Sequence, residues 1–191
     1  KAPQFYENLR YQYQRLIILW TFKILRIETK IQNQAKVNFG PPNLFMFSHA
    51  GFLDVLATFA YLPVRSWCVG KIEMFNIPFV GSCFKNSGHI WIKRDKLEDA
   101  KRSLEMAGEY VRAQGKSVMI SPEGTRRRSK SIDNGSHLLP FKKGPFHCAK
   151  SAKSQIVPIV FSGLYRLNIG PFYCPGSIIL NMGEPISQEV I

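Results

Sequence analysis

Hydrophobic positions follow two different patterns along this chain. Residues 5–29 contain neither proline nor glycine and include RLIILWTFKIL, Arg15 to Leu25, where Trp20 and Phe22 stand among flanking Arg and Lys. That pattern predicts a helix with a greasy face and basic edges, and a distinct N-terminal segment over residues 1–35. From Leu44 onward, short apolar runs alternate with helical periodicity. Strands are expected at 44–47, 66–69, 90–92, 117–120, 156–161 and 177–182. Helices are expected at 53–61, at 96–113, where Leu97, Ala100, Leu104, Ala107 and Val111 recur every three or four positions, and at 145–152, which opens with Pro after Gly144. The alternation predicts an α/β sheet as the main domain, residues 36–191. The polar stretch Arg126 to His137 reads as a loop.

With 191 residues, 45% hydrophobic and 13% aromatic, the chain has the material for one real core. Charge changes the picture more: 26 Lys and Arg against 13 Asp and Glu give a formal +13, which calls for an anionic partner. Nucleic acid fits poorly, because no RNP, KH or zinc-finger pattern occurs and the basic residues are spread along the chain. An anionic membrane surface and a phosphorylated small substrate remain. The four cysteines, Cys68, Cys83, Cys148 and Cys174, show no C-x-x-C spacing, so they read as reduced thiols of a cytosol-facing protein. No stretch reaches the roughly 18 apolar residues of a membrane span.

Two short segments carry candidate chemistry. In FSHAGFLD, Phe47 to Asp54, His49 and Asp54 are five positions apart. On one unbroken helix that spacing turns side chains about 140 degrees apart, so the two meet only if His49 lies on a turn and Asp54 inside the helix that follows. A carboxylate bound to one ring nitrogen would leave the other as a general base. An Asp favoured at a helix N-terminus beside an ordinary turn histidine fits the same letters.

The second segment, ISPEGTRRRSK, Ile120 to Lys130, follows the expected strand SVMI. Gly124 permits close backbone approach, and Thr125 and Arg126 offer a hydroxyl and a guanidinium fork suited to phosphate. Glu123 has two readings, a partner for the loop's Arg or an acceptor for a substrate hydroxyl. Arg127, Arg128 and Lys130 read as solvated charges, since consecutive side chains cannot all enter one site.

Together these segments resemble the lysophosphatidic acid acyltransferase (PlsC-type glycerolipid acyltransferase) family. SHAGFLD is similar to its H-x-x-x-x-D signature and SPEGTR to its F-P-E-G-T-R signature, with Ser121 in place of Phe. KIEMFNIPFVG, Lys71 to Gly81, and GHIWIKR, Gly88 to Arg94, are similar to its second motif region, and Leu139 to Gly163 to its closing section, with Pro158 in the fourth motif. Ala50 and Gly51 depart from the polar residues usual after the histidine.

The resemblance implies a mixed central sheet flanked by helices, and transfer of a fatty acyl group to the free hydroxyl of lysophosphatidic acid, giving phosphatidic acid. The acyl donor would be acyl-CoA or acyl carrier protein, used as a substrate, with no cofactor and no metal. It implies His49 as general base oriented by Asp54, Arg94 and Arg126 on the acceptor phosphate with Lys93 or Lys71 assisting, and Glu123, Gly124 and Thr125 at the glycerol portion. No serine or cysteine nucleophile is required, because the thioester is already activated; His147 beside Cys148 is not a working pair, since adjacent helical residues point apart. It further implies a membrane-associated enzyme whose site faces the cytosol. The alternatives are another lysophospholipid or glycerol 3-phosphate as acceptor, or a catalytically silent anionic-lipid-binding module.

Overall fold

The computed structural model describes residues 2–40, 42–76, 88–92, 97–126, 138–169 and 172–191. Helix α1 (Ala2–Ile24) leads into strand β1 (Ile27–Gln32); then come β2 (Asn43–Phe47), α2 (Leu53–Tyr61), β3 (Ser66–Lys71), β4 (Ile90–Ile92), α3 (Leu97–Gln114), β5 (Ser117–Ile120), α4 (Gly144–Ala152) and β6 (Gln155–Ser162). A short helix α5 (Leu164–Leu167), a hairpin of β7 (Asn168–Ile169) and β8 (Phe172–Tyr173), and β9 (Gly176–Met182) complete the chain. Seven strands form one mixed sheet in the order β1-β9-β6-β2-β5-β3-β4. The run from β6 to β4 is parallel, and β9 turns antiparallel against β6.

Strand β2, NLFMF, is buried throughout, as a central parallel strand covered on both faces must be. Alternate side chains of the sheet feed two hydrophobic clusters. Phe45, Phe47, Cys68, Met119 and Ile159 pack with α1 and α2, while Leu44, Met46, Trp67, Val118 and Ile120 pack with α3 and α4. Pro158 is tolerated inside central strand β6 because its carbonyl accepts the Gly183 N–H at 2.8 Å, just past the last β6–β9 pair, Ile159 with Met182. Its missing N–H therefore points to where the β9 ladder has already ended.

The N-terminal segment differs from the helical reading of residues 1–35. The helix stops at Ile24, Arg26 adopts a left-handed conformation at φ 53°, and Ile27–Gln32 pairs with β9 at the sheet edge. IETKIQ alternates in burial, with Ile27, Thr29 and Ile31 on the inner side, and β-branched residues at every second position favour a strand. On α1 itself, Tyr11, Ile18 and Phe22 enter the core, whereas Phe5, Leu9, Tyr13, Leu16, Trp20 and Ile24 are exposed on the opposite side. LIILW is thus divided between core and surface: Ile18 is core, and its neighbours Ile17 and Trp20 face solvent. Glu7 fastens this helix to the domain by ion pairs to Arg65 (3.2 Å) and Lys116 (3.0 Å). Burial pushes the Glu7 carboxyl up, but these two cations outweigh it and hold it below the usual range.

Candidate active site

The sheet's topology brings the chemistry to one place. Strands β2, β5, β3 and β4 are neighbours and parallel, so their C-terminal ends open on one side, where ligands sit in open α/β sheets. A cavity of about 330 Å³ lies there. His49, Ser121, Gly124, Thr125, Arg126, Lys71, Cys68 and Gly70 line it together with apolar Phe47, Phe52, Val55, Val69 and Trp91.

His49 lies on the turn after β2, and Asp54 is the second residue of α2. The ring Nδ1 donates to Asp54 Oδ1 at 3.0 Å, with Oδ2 at 3.2 Å. Asp54 is fully buried, and its Oδ2 also accepts the N–H groups of Ala50 (2.6 Å) and Gly51 (2.8 Å). The carboxylate thus folds the turn around itself. An ionised carboxylate only accepts, so Nδ1 carries a proton, and Nε2 is the ring nitrogen left to act as a base. The His49 side chain retains 19% exposure, so that nitrogen belongs to a ring the cavity reaches.

The second segment closes the other side. Gly124 takes φ 69°, a conformation glycine adopts without strain, and its N–H returns to the Ser121 carbonyl at 3.2 Å. The Lys142 N–H caps the Pro122 carbonyl at 2.8 Å. The resemblance puts Glu123 at the substrate's glycerol portion; the structure turns it inward. Only 2% of Glu123 is exposed; Oε1 accepts the His49 backbone N–H at 2.8 Å and Oε2 the Leu139 N–H at 3.1 Å. It therefore braces the turn carrying the histidine, because buried donors on either side take both oxygens. Thr125, Arg126 and Lys71 are exposed at the cavity rim. Lys93 and Arg94 lie outside the described residues, as do Cys83 and most of the expected 126–137 loop.

The lining also includes residues that the sequence did not single out as site residues: Phe47, Phe52, Val55, Cys68, Val69, Gly70 and Trp91. Trp67 is core, whereas Trp91 is half-buried and forms cavity wall, its ring lying where a Cβ on Gly70 would be 2.8 Å away. Beneath it His89 is buried; its Nδ1 accepts the Cys68 N–H at 3.0 Å. Burial, helped by the positive Arg65, brings its pKa down to about 3, so it is a neutral strut. Burial also pushes the Cys148 thiol up to about 12, while the neighbouring His147 Nδ1 faces Glu105 at 3.6 Å, so that pair has no nucleophilic geometry.

Residues 28–162 match the family model described as Acyltransferase. The 1-acyl-sn-glycerol-3-phosphate acyltransferase of Saccharomyces cerevisiae is 30% identical over 151 residues, covering 78% of this chain and 48% of that protein. The Haemophilus influenzae protein of the same name is 29% identical over 164 residues, 85% of this chain and 64% of that one, and the human beta form is 31% identical over 165 residues, 85% and 56%. The chain thus spans about half to two thirds of the length of these relatives. The crystal structure of the 1-acyl-sn-glycerophosphate (LPA) acyltransferase PlsC from Thermotoga maritima shares the fold, with a TM-score of 0.73 at 19% identity, over 100% of this chain and 73% of that one. On the strength of the family match over most of its length, this chain belongs to the Acyltransferase family.

Proposed function

We propose that this chain transfers a fatty acyl group from a thioester, acyl-CoA or acyl carrier protein, to the free hydroxyl of lysophosphatidic acid, giving phosphatidic acid. The observation that carries the reading is one cavity with three distinct parts: a carboxylate-held imidazole, a cationic rim, and apolar walls. A phosphate, a hydroxyl and an acyl chain would each meet a matching surface there. The names of the relatives narrow the acceptor to a 1-acyl-glycerol 3-phosphate.

In the reaction, His49 Nε2 takes the proton of the acceptor hydroxyl as its oxygen attacks the thioester carbonyl carbon. The C=O electron pair moves to oxygen, the tetrahedral intermediate collapses, the C–S bond breaks, and the thiolate leaves with the proton from the imidazolium. Asp54 orients the ring and offsets its charge. General-base catalysis is worth about 10² to 10⁴-fold, so holding acceptor and thioester in register supplies much of the rest. Arg126, with Lys71 and, by the family pattern, Arg94 and Lys93, would hold the phosphate; Thr125 and Gly124 would meet the adjoining glycerol.

The test is acyl transfer from palmitoyl-CoA by the purified chain to lysophosphatidic acid, glycerol 3-phosphate and lysophosphatidylcholine in parallel. Phosphatidic acid is the expected product. Preferred turnover of either other acceptor would reassign the acceptor, and lipid binding without turnover of any would leave a silent lipid-binding module. Arg126→Ala is expected to raise KM for lysophosphatidic acid about tenfold with a smaller change in kcat, because an exposed guanidinium acts mainly in binding.

Both substrates carry long chains, so the proposal includes an anionic membrane surface as a partner, with the site facing the cytosol. Among the described residues no helix is long and apolar enough to cross a membrane. The exposed face of α1 supports interfacial docking instead, with Lys23 stacked over Trp20 at 5.1 Å from the ring centroid. Leu16→Glu with Trp20→Glu should weaken binding to phosphatidylglycerol-containing vesicles by at least about 100-fold, since each buried side chain is worth about 1.5–3 kcal/mol. Tm should stay unchanged, because both side chains are solvent-facing in the fold. Vesicle flotation reads the first and a thermal melt the second.

A further inference from the structure

Ser121 is a buried hydroxyl that the fold leaves unused. The residue is 8% exposed, it lines the cavity, and its Oγ has no hydrogen-bond partner among the described residues. Such a group costs stability, and a buried polar atom without a partner calls for an explanation. Its place in the sheet supplies one. Met46 pairs with Ile120 and Cys68 with Met119, so Ser121 stands level with Phe47 on one side and Gly70 on the other; Gly70 in turn pairs with Trp91. These four form one row across β2, β5, β3 and β4, and all four line the cavity. In this row between Phe47 and Trp91, Ser121 is the polar residue, and its hydroxyl is buried beneath the cavity surface. It lies two residues before Glu123, whose carboxylate holds the turn bearing His49.

We propose that Ser121 is a further catalytic residue of the acyl transfer, its hydroxyl donating to the carbonyl oxygen of the thioester as that oxygen becomes negative. The inference rests on the acyl-transfer reading of the same cavity. An acyl chain lying against Phe47, Val69 and Trp91 brings one polar atom with it, the carbonyl oxygen. His49 must face the attacking hydroxyl, and the rim cations are taken by phosphate. The floor hydroxyl is then the side chain left for the oxyanion, and rotation of χ1 between staggered wells re-aims it. The pattern the chain resembles has Phe at that position.

The test compares Ser121→Ala, Ser121→Thr and Ser121→Phe with the parent chain. Removing an unpartnered buried hydroxyl leaves folding unchanged or improved, so a thermal melt of the alanine variant is expected at or above the parent value. Its kcat with palmitoyl-CoA is expected to fall about 10²- to 10³-fold with KM for lysophosphatidic acid unchanged, and the threonine variant to recover most of it. Turnover of the alanine variant at the parental rate would overturn the proposal. A second arm needs no turnover: calorimetric binding of 2-oxoheptadecyl-CoA, which keeps the carbonyl, against heptadecyl-CoA, which lacks it. Ser121→Ala should lose affinity for the ketone about tenfold and none for the thioether. Equal losses for both would mean that Ser121 only shapes the cavity and would sink its role as donor. A parent chain without acyl transfer would defeat the functional reading, while the ketone-to-thioether ratio would still report on Ser121.

Discussion

His49→Ala is expected to leave a folded protein whose acyl transfer, read as kcat/KM, is lower by about 10⁴-fold, the upper end of what a positioned general base supplies. The fold should survive for a structural reason. The His49 ring is partly exposed, with an edge contact to Phe47 at 5.7 Å, and the bond that fixes the turn, His49 N–H to Glu123, belongs to the backbone. Asp54 keeps its bonds from Ala50 and Gly51 in the variant. The measurement is release of free CoA thiol in the presence of lysophosphatidic acid, beside a thermal melt and vesicle binding. Turnover within tenfold of the parent would remove His49 from the base role. A melt lowered by many degrees would mean that the loss of activity says nothing about chemistry.

The fold from Leu44 onward was largely legible because each strand is short, apolar and bounded by a turn or a helix. The expected strands 90–92 and 117–120 and helix 53–61 coincide with β4, β5 and α2, and the other expected strands from 44 onward differ by one or two residues at their ends. Strand β1 was not legible. It is a six-residue edge strand with exposed Glu28 and Lys30, it follows the apolar run of α1 with no Gly or Pro between them, and its partner β9 begins at residue 176, so its short alternation is overshadowed by the helix pattern before it. The same limit hid the cavity floor. Phe47, Gly70, Trp91 and Ser121 are distant in sequence and become neighbours only through the order β2-β5-β3-β4, which hydropathy does not encode.

The candidate site divides the same way. The contact between His49 and Asp54 is local, and the turn-then-helix geometry that the spacing demands is the one the chain adopts. Glu123 could not be read correctly from its neighbours, because its partners are backbone N–H groups 74 and 16 positions away. Three positions before Arg126, it reads as a partner for the loop's Arg or an acceptor for a substrate hydroxyl; in space it is the link between the two motif segments. Ala50 and Gly51, where the chain leaves the family's habit of polar residues, contribute through their backbone N–H groups, which any side chain there would still provide.

That arrangement makes Asp54 the residue whose replacement should cost most, in stability as well as rate. Asp54→Asn keeps the shape but has one accepting oxygen where the carboxylate has two. If that oxygen keeps the Ala50 and Gly51 N–H groups, the new NH₂ faces His49 Nδ1 and can be satisfied only if Nδ1 becomes the acceptor. The ring proton then moves to Nε2, and the base is lost through its tautomer, a change worth about 10⁴ in kcat where it has been engineered in a catalytic triad. Asp54→Ala removes the acceptor altogether. Two part-buried N–H groups are stranded at about 1–3 kcal/mol each, so the alanine variant should lose up to about 2–6 kcal/mol of stability as well as its activity. Urea midpoints rank the three proteins as parent, asparagine, alanine, while kcat falls together for both variants, and ¹⁵N shifts of the imidazole report the tautomer. An asparagine variant with parental kcat, or with Nδ1 still protonated, would show that Asp54 does no more than hold the turn.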